Sequence, residues 1–283
     1  MKQAFVSSKI FAGQLDGLDA STLCIKDLHF SPKWFQLLAL TAMPASAKLA
    51  LGIAGESCYL PLMTSAESPG RVFGLSNFYT PLFALLNEAQ ADRRRLVELA
   101  ANLRIRSAGI HEARFTPMDP ESPSWFALRD AFTKAGWLVD DYFIFGNWYH
   151  PVKGTSYADY LATRPSQLRN TLTRARRRLE KTEGYSLRLC TGRDLSEADI
   201  DAFVAVYNRS WKKPEPFPDF IPGLCSLAAR EGWLRLGIIR LDRRPIAVQL
   251  WLVASGKANI VKLAYDQDFA KTSAGTVLTA ALM

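Results

Sequence analysis

The chain has 283 residues, which exceeds the usual size of one domain and predicts two. Hydrophobic residues make up 48% and charged residues 22%, a composition typical of a soluble globular protein. The formal charge of +8 favours anionic partners in general: nucleotide cofactors, nucleic acid or anionic membrane surfaces. Composition alone does not choose among these partners.

The cysteines and histidines are scattered, without a C-x-x-C pair: Cys24, Cys58, Cys190, Cys225, His29, His111 and His150. This spacing excludes a recognisable zinc motif and a disulfide framework, so we expect no metal. The N-terminus lacks the apolar core of a signal peptide, and no apolar run approaches membrane-spanning length. We therefore expect a cytoplasmic protein without a transmembrane segment.

The first half predicts a mixed sheet covered by helices. Residues up to about 22 are expected to be irregular, Ser31-Pro32 begins a helix, and residues 48–54 and 58–63 form a hairpin. An apolar strand from Val72 runs into a turn in which Asn77 and Tyr79 are candidate substrate-pocket residues, a packed aromatic loop being the alternative. A helix (88–106), a strand (110–115), a helix (124–135) and an aromatic strand (137–149) complete a first domain of residues 1–150.

Residues 151–156 are the predicted joint to a second domain, residues 151–283, which opens with a short helix over 157–161. A helix over 167–181 then carries six arginine or lysine residues around an apolar stripe. These charges indicate either a solvated helix face or contacts with phosphate or an acidic substrate.

A strand (185–190), helices (196–211 and 218–231), a strand (233–241) and an apolar hairpin turning at 255–257 follow. A loop of small residues, 273–275, opens a final apolar helix. Free N–H groups at such a helix start bind anions, although a plain helix cap with close packing has the same sequence.

This layout of a strand, two helices, three antiparallel strands and a helix entered through a glycine loop resembles the GNAT acetyltransferase fold. The residues that carry the resemblance are 168–180, Tyr207-Asn-Arg-Ser-Trp-Lys, Arg244-Pro-Ile-Ala and 264–278. They are similar to the GNAT branch associated with cellulose and exopolysaccharide biosynthesis, related to the FemAB peptidyltransferases. The resemblance implies an α/β chain of two tandem GNAT-like halves, and the second half is expected to be incomplete because GNAT strands would follow Met283.

The resemblance also implies acyl transfer from acetyl-CoA or another acyl-CoA to a sugar, amino-sugar or peptide acceptor. The CoA-binding residues would be Ala264, Lys271, Thr272, Ser273, Ala274, Gly275 and Thr276. Tyr265 and Asp266 are the catalytic candidates, and Trp211 and Lys262 the substrate-pocket candidates; packing and a turn are the plain alternatives. Nucleic acid is not an expected partner, except in a FemAB-like reading in which an aminoacyl-tRNA is the donor. A non-catalytic GNAT-like binding module is the remaining alternative.

Overall fold

The computed structural model describes residues 5–18, 23, 26–105 and 109–283. The chain divides into two compact units, residues 1–147 and 148–283. Each unit contains one four-stranded sheet with helices packed on it. The mixed α/β class predicted from the sequence is confirmed.

In the first unit, the sheet has the order β1-β2-β3-β4, with β3 and β4 parallel and the other pairs antiparallel. Its strands are β1 (Lys48–Ile53), β2 (Tyr59–Thr64), β3 (Arg71–Gly74) and β4 (Glu112–Arg114). Its helices are α1 (Ser8–Asp16), α2 (Pro32–Thr41), α3 (Arg93–Ile105) and α4 (Pro123–Lys134). The predicted start of α2 is confirmed: the Ser31 hydroxyl accepts the Trp34 N–H at 3.2 Å, and proline follows at the first helical position.

Two predictions for this unit are wrong. Residues 8–16 form α1 instead of irregular chain, because Phe11, Ala12 and Leu15 bury one face of this short helix; residues 19–22 lie outside the described part. The aromatic strand expected over 137–149 does not form, and no strand among the described residues pairs with 138–147. Phe143 is 85% exposed, so the apolar side chains that favoured a buried strand are not buried here.

In the second unit, the sheet has the order β5-β6-β7-β8 and is antiparallel throughout. Its strands are β5 (Ser186–Cys190), β6 (Leu234–Leu241), β7 (Arg244–Ala254) and β8 (Lys257–Tyr265). Its helices are α5 (Tyr157–Ala162), α6 (Ser166–Glu180), α7 (Glu197–Asn208), α8 (Phe220–Arg230) and α9 (Ala274–Leu282). The order of elements is the one predicted from the sequence.

The two faces of this sheet carry different helices. Ala175 and Leu179 of α6 and Val277 and Leu278 of α9 share a buried cluster with Ile239 on β6. Gly237 permits the close approach of α9, because a Cβ at this position would lie 2.7 Å from Leu278 Cδ1. Helix α7 packs against β7 and β8. Since side chains alternate between faces along a strand, neighbouring residues of β8 point to different helices.

Candidate functional site

A pocket of about 330 Å³ lies in the second unit where α9 begins, between β8 and the two helices α5 and α6. Its walls are mainly leucine and tyrosine, with a few polar groups. The lining residues are Tyr157, Tyr160, Leu161, Arg164, Leu168, Leu172, Gln249, Leu263, Ala264, Tyr265, Gly275, Thr276, Thr279, Ala280 and Met283. An apolar pocket with a small number of polar groups is the common form of a small-molecule site.

The turn before α9 determines which backbone groups face the pocket. Ser273 adopts a left-handed conformation with φ of 57°. The Thr272 hydroxyl accepts the Ala274 N–H at 3.2 Å and donates to the Phe269 carbonyl at 2.6 Å, so it is engaged within the turn. The N–H groups of Gly275 and Thr276 belong to the first turn of a nine-residue helix and lie beside the pocket, where such groups attract an anion.

Gln249 fixes the first turn of α9 to the sheet. Its side-chain amide nitrogen donates to the Gly275 carbonyl at 2.9 Å and to the Thr279 hydroxyl at 2.6 Å, and its oxygen accepts the Trp251 indole N–H at 2.9 Å. The residue is 2% exposed, so these bonds satisfy a polar side chain within an otherwise apolar strand. Gln249 therefore holds in place the backbone that faces the pocket.

Arg164 supplies positive charge to the pocket wall. Its guanidinium lies 4.6 Å from the Tyr160 ring centroid and donates to the Thr163 hydroxyl at 2.9 Å through Nη2. Among the described residues, no carboxylate lies within 4.0 Å of it. The charge is thus free to pair with an anionic ligand.

The ring of Tyr265 lies at one end of the pocket. A Cβ on Gly275 would be 3.5 Å from Tyr265 Cδ1, and the Trp211 ring centroid is 4.5 Å from that of Tyr265. A larger side chain at position 275 would therefore occupy the space beside this tyrosine.

Asp266 has a structural role that the sequence did not predict. Its carboxylate is 2% exposed and accepts hydrogen bonds from Arg209 Nε and Arg244 Nη2, both at 2.7 Å. Burial alone would raise the pKa of Asp266, but the hydrogen bonds from the two arginines outweigh it and hold the pKa below its usual value. A carboxylate kept ionised and paired with two guanidinium groups is a poor proton acceptor, so these contacts favour a structural role for Asp266.

Lys262 points to the opposite face of the sheet from the pocket, because it pairs with Leu250 while Leu263 pairs with Gln249. Its ammonium lies 2.5 Å from Glu215 Oε1, and both side chains are largely buried. The Tyr207 hydroxyl is also hydrogen-bonded to Glu215; burial, and next this contact with Glu215, raise the pKa of Tyr207. Half-exposed Trp211 lies next to Tyr265.

The two substrate candidates of the first unit are engaged in their own turn. The Asn77 side chain donates to the Ala42 carbonyl at 2.9 Å and accepts the Tyr79 N–H at 2.9 Å, and Tyr79 is 7% exposed. These contacts correspond to the packed aromatic loop that was the alternative interpretation.

The pocket thus brings together four residues of the predicted site: Ala264, Tyr265, Gly275 and Thr276. The other loop residues do not line it. Ala274 is 3% exposed, and the Lys271 carbonyl accepts a hydrogen bond from Arg178 on α6.

The sequence analysis missed the α5 and α6 walls. Tyr157 and Tyr160 are three residues apart, which places them on one face of α5, and Arg164 follows just after this helix ends; the spacing of the two tyrosines was the signal that could have found this wall. Gln249 was a second signal, since a glutamine within an apolar strand requires buried partners.

Residues 166–283 match the family model described as an acetyltransferase (GNAT) domain. The match lies within the second unit and spans less than half of the chain. GNAT domains use acyl-CoA as co-substrate. The match agrees with the GNAT resemblance predicted for this half.

Two solved structures are similar to the chain. The ribosomal-protein-S18-alanine N-acetyltransferase from Escherichia coli is 17% identical, with 34% of this chain and 57% of that chain covered and a TM-score of 0.27. The C-terminal domain (DUF2156) of a putative lysylphosphatidylglycerol synthetase from Agrobacterium fabrum is 12% identical, with 98% and 74% covered and a TM-score of 0.44. These scores are too low to assign an activity. No curated protein matches the chain.

Two further observations concern ligands and membranes. Within the described residues, no three histidine, cysteine or acidic side chains lie close enough together to hold a metal ion. The helices in that same part of the chain are all too short or too polar to cross a bilayer.

Proposed function

We propose that the protein is an acyl-CoA-dependent acyltransferase that moves an acetyl or other acyl group to an amine or hydroxyl. The observation that carries the proposal is the pocket at the start of α9, within the segment that matches the GNAT domain. The pocket combines apolar walls, two first-turn N–H groups and the guanidinium of Arg164. Acyl-CoA requires these groups, because it has a long, largely apolar arm and a doubly charged pyrophosphate.

Acyl-CoA fits the residues present. The N–H groups of Gly275 and Thr276 and the Arg164 guanidinium would hold the pyrophosphate. Among the described strands β8 lies at the edge of its sheet, so its outer backbone groups around Ala264 would hydrogen-bond the pantetheine amides. The thioester of the bound donor supplies the activated acyl group.

Tyr265 is the proposed catalytic residue. When the acceptor nitrogen or oxygen attacks the thioester carbonyl, a C–N or C–O bond forms, the C–S bond breaks, and the acceptor loses a proton. The departing thiolate needs a proton donor, and the phenol of Tyr265 lies in the pocket wall. Asp266 is not part of this step, since its carboxylate is occupied by Arg209 and Arg244.

In its more specific form, the proposal is that the acceptor is a sugar, an amino sugar or a peptide in polysaccharide or cell-envelope biosynthesis. It rests on the sequence resemblance and on the exposed ring of Trp211 next to Tyr265, since half-exposed indoles stack on flat ligands.

A FemAB-like donor, an aminoacyl-tRNA, is the second candidate. It is favoured by the exposed basic residues of α6 and of the residue that follows it: Arg169, Arg174, Arg177 and Lys181. Binding of tRNA that weakens steeply with added salt, together with no effect of acetyl-CoA, would favour this donor over acyl-CoA.

Thermal unfolding with and without excess acetyl-CoA tests the donor site. Binding stabilises the native state by about 2.7 kcal/mol at a hundredfold excess over the Kd. Gly275→Trp places an indole against Tyr265 and should abolish the shift, whereas Ala258→Trp, at an exposed position on β8, should retain it. No shift in a folded wild-type protein, or equal shifts in both variants, would contradict an acyl-CoA site here.

A further inference from the structure

The loop between α7 and α8 contains a partly buried lysine, Lys212, that lies over two aromatic rings. Lys212 is partly buried, and its Nζ lies 5.6 Å from the Trp211 ring centroid and 5.7 Å from that of Tyr207. Among the described residues, no carboxylate lies within 4.0 Å of this ammonium. Partial desolvation of a charge without direct pairing is unfavourable, so the position is suited to an anion from outside the chain.

The charges around Lys212 also favour the binding of an anion. Glu215, the nearby carboxylate, is already in contact with Lys262 at 2.5 Å and with the Tyr207 hydroxyl. Burial, and next the charge of Lys262, lower the pKa of Lys212. Two ammonium groups therefore face one carboxylate, and the cluster keeps a net positive charge that a bound anion would neutralise.

The loop is rich in proline and lies close to the proposed catalytic residue. Prolines at positions 214, 216 and 218 restrict the backbone immediately after Lys212. Trp211 is 50% exposed and its ring contacts that of Tyr265. A restricted backbone reduces the entropic cost of presenting the ammonium and the exposed indole next to Tyr265.

We propose that Lys212 and Trp211 form an acceptor subsite for an amine that also carries an acidic group, a phosphate or a carboxylate. This inference rests on the proposed function in placing the acceptor next to Tyr265. The anion pairs with the Lys212 ammonium, the body of the acceptor stacks on Trp211, and the amine reaches the thioester in the donor pocket. Lys262 remains paired with Glu215 and supports the cluster.

Calorimetric binding of three amino sugars, without acyl-CoA, tests the subsite: glucosamine, glucosamine 6-phosphate and muramic acid. We expect at least one of the two acidic sugars to bind about tenfold or more tightly than glucosamine, the scale of one charge-assisted hydrogen bond. Tighter binding of the phosphate identifies a phosphorylated acceptor, and tighter binding of muramic acid identifies a carboxylate.

Lys212→Gln should remove this preference, and Lys212→Arg should keep most of it because the charge remains. Lys213→Gln is the matched control, since this neighbouring lysine is exposed and should leave the preference unchanged. Equal binding of all three sugars, no binding of either acidic sugar, or equal losses in Lys212→Gln and Lys213→Gln would overturn the proposal.

Release of free thiol from acetyl-CoA with the same sugars separates this inference from the proposed function. If the acidic sugars bind more tightly in a Lys212-dependent way but no thiol is released, the subsite is supported and the acyltransferase activity is contradicted. If thiol is released with equal kcat/KM for acidic and neutral sugars, the acyltransferase activity is supported and the subsite is contradicted.

Discussion

Replacing Asp266 with asparagine should destabilise the second unit, because the carboxylate is buried and accepts hydrogen bonds from two arginines. Hydrogen bonds to a buried charged group contribute about 1.5–3 kcal/mol each. Arg209 and Arg244 are 38% and 45% exposed and can be rehydrated, so screening reduces each contribution to about 1–1.5 kcal/mol. Asp266→Asn should therefore cost about 2–3 kcal/mol of unfolding free energy.

The effect should depend on pH in a defined direction. The arginines lower the pKa of Asp266 in the folded state, so the carboxylate contributes stability above its unfolded pKa of about 3.9. That contribution is lost as the pH falls through the lower folded pKa. The difference between wild type and Asp266→Asn should thus be constant between about pH 5 and 8 and shrink below about pH 4.

Hydrogen exchange of peptides from β7 and β8 measures this stability separately from that of the first unit. At neutral pH, we expect protection in Asp266→Asn to fall about 30- to 150-fold, the equivalent of 2–3 kcal/mol. If Asp266 were instead the catalytic base, the variant would keep its protection and lose turnover. Protection within threefold of wild type would refute the structural role.

Three further predictions follow from other contacts. Asp199→Ala should lower the free energy of unfolding by about 2–3 kcal/mol, because this 3%-exposed carboxylate pairs with Arg188 at 2.8 and 2.9 Å and closes the capping box of α7. Urea unfolding measures this loss, and a change below about 0.5 kcal/mol would contradict the prediction. Gly275→Ala should weaken acetyl-CoA binding in calorimetry without lowering stability, since its methyl group meets only Tyr265 at 3.5 Å; Gly13→Ala, in helix α1 with no neighbour within 4 Å, is the control that should leave binding unchanged. Cys58 and Cys225 should react with a thiol reagent only after unfolding, because burial raises the pKa of each thiol to about 12; modification of either in the native protein would contradict this.

The sequence predicted the elements of the second unit well because its local signals agree with its tertiary contacts. Ser196 begins α7 with a capping box, Gly232 follows α8, and the turn at Ser255 and Gly256 joins two apolar runs. Each signal acts within a few residues of the element that it defines, so no knowledge of distant packing is needed. The same reasoning failed over residues 137–149, where apolar composition indicates burial but does not supply a partner strand.

The candidate site was harder to predict because it depends on contacts distant in sequence. Asp266 lies next to Tyr265 in the chain, yet its role is set by Arg209, 57 residues away, and by Arg244, 22 residues away. Arg164 lines the pocket from the short connection between α5 and α6, which precedes the sheet in the chain. Periodicity places such residues on the face of an element, but only the packing of helices on the sheet determines which faces meet.

The alternation of side chains along β8 explains how one short segment serves both parts of the proposed site. Leu263 and Tyr265 face α9 and line the donor pocket, whereas Lys262 faces α7 and pairs with Glu215. A register shift of one residue would exchange these environments, placing the lysine in the apolar pocket and a leucine against the buried carboxylate. Both exchanges are costly, so the polar and apolar order of residues 262–265 fixes the register of β8. The same order keeps the proposed donor pocket and the acceptor cluster on different faces of the sheet, with the ring contact between Tyr265 and Trp211 connecting them.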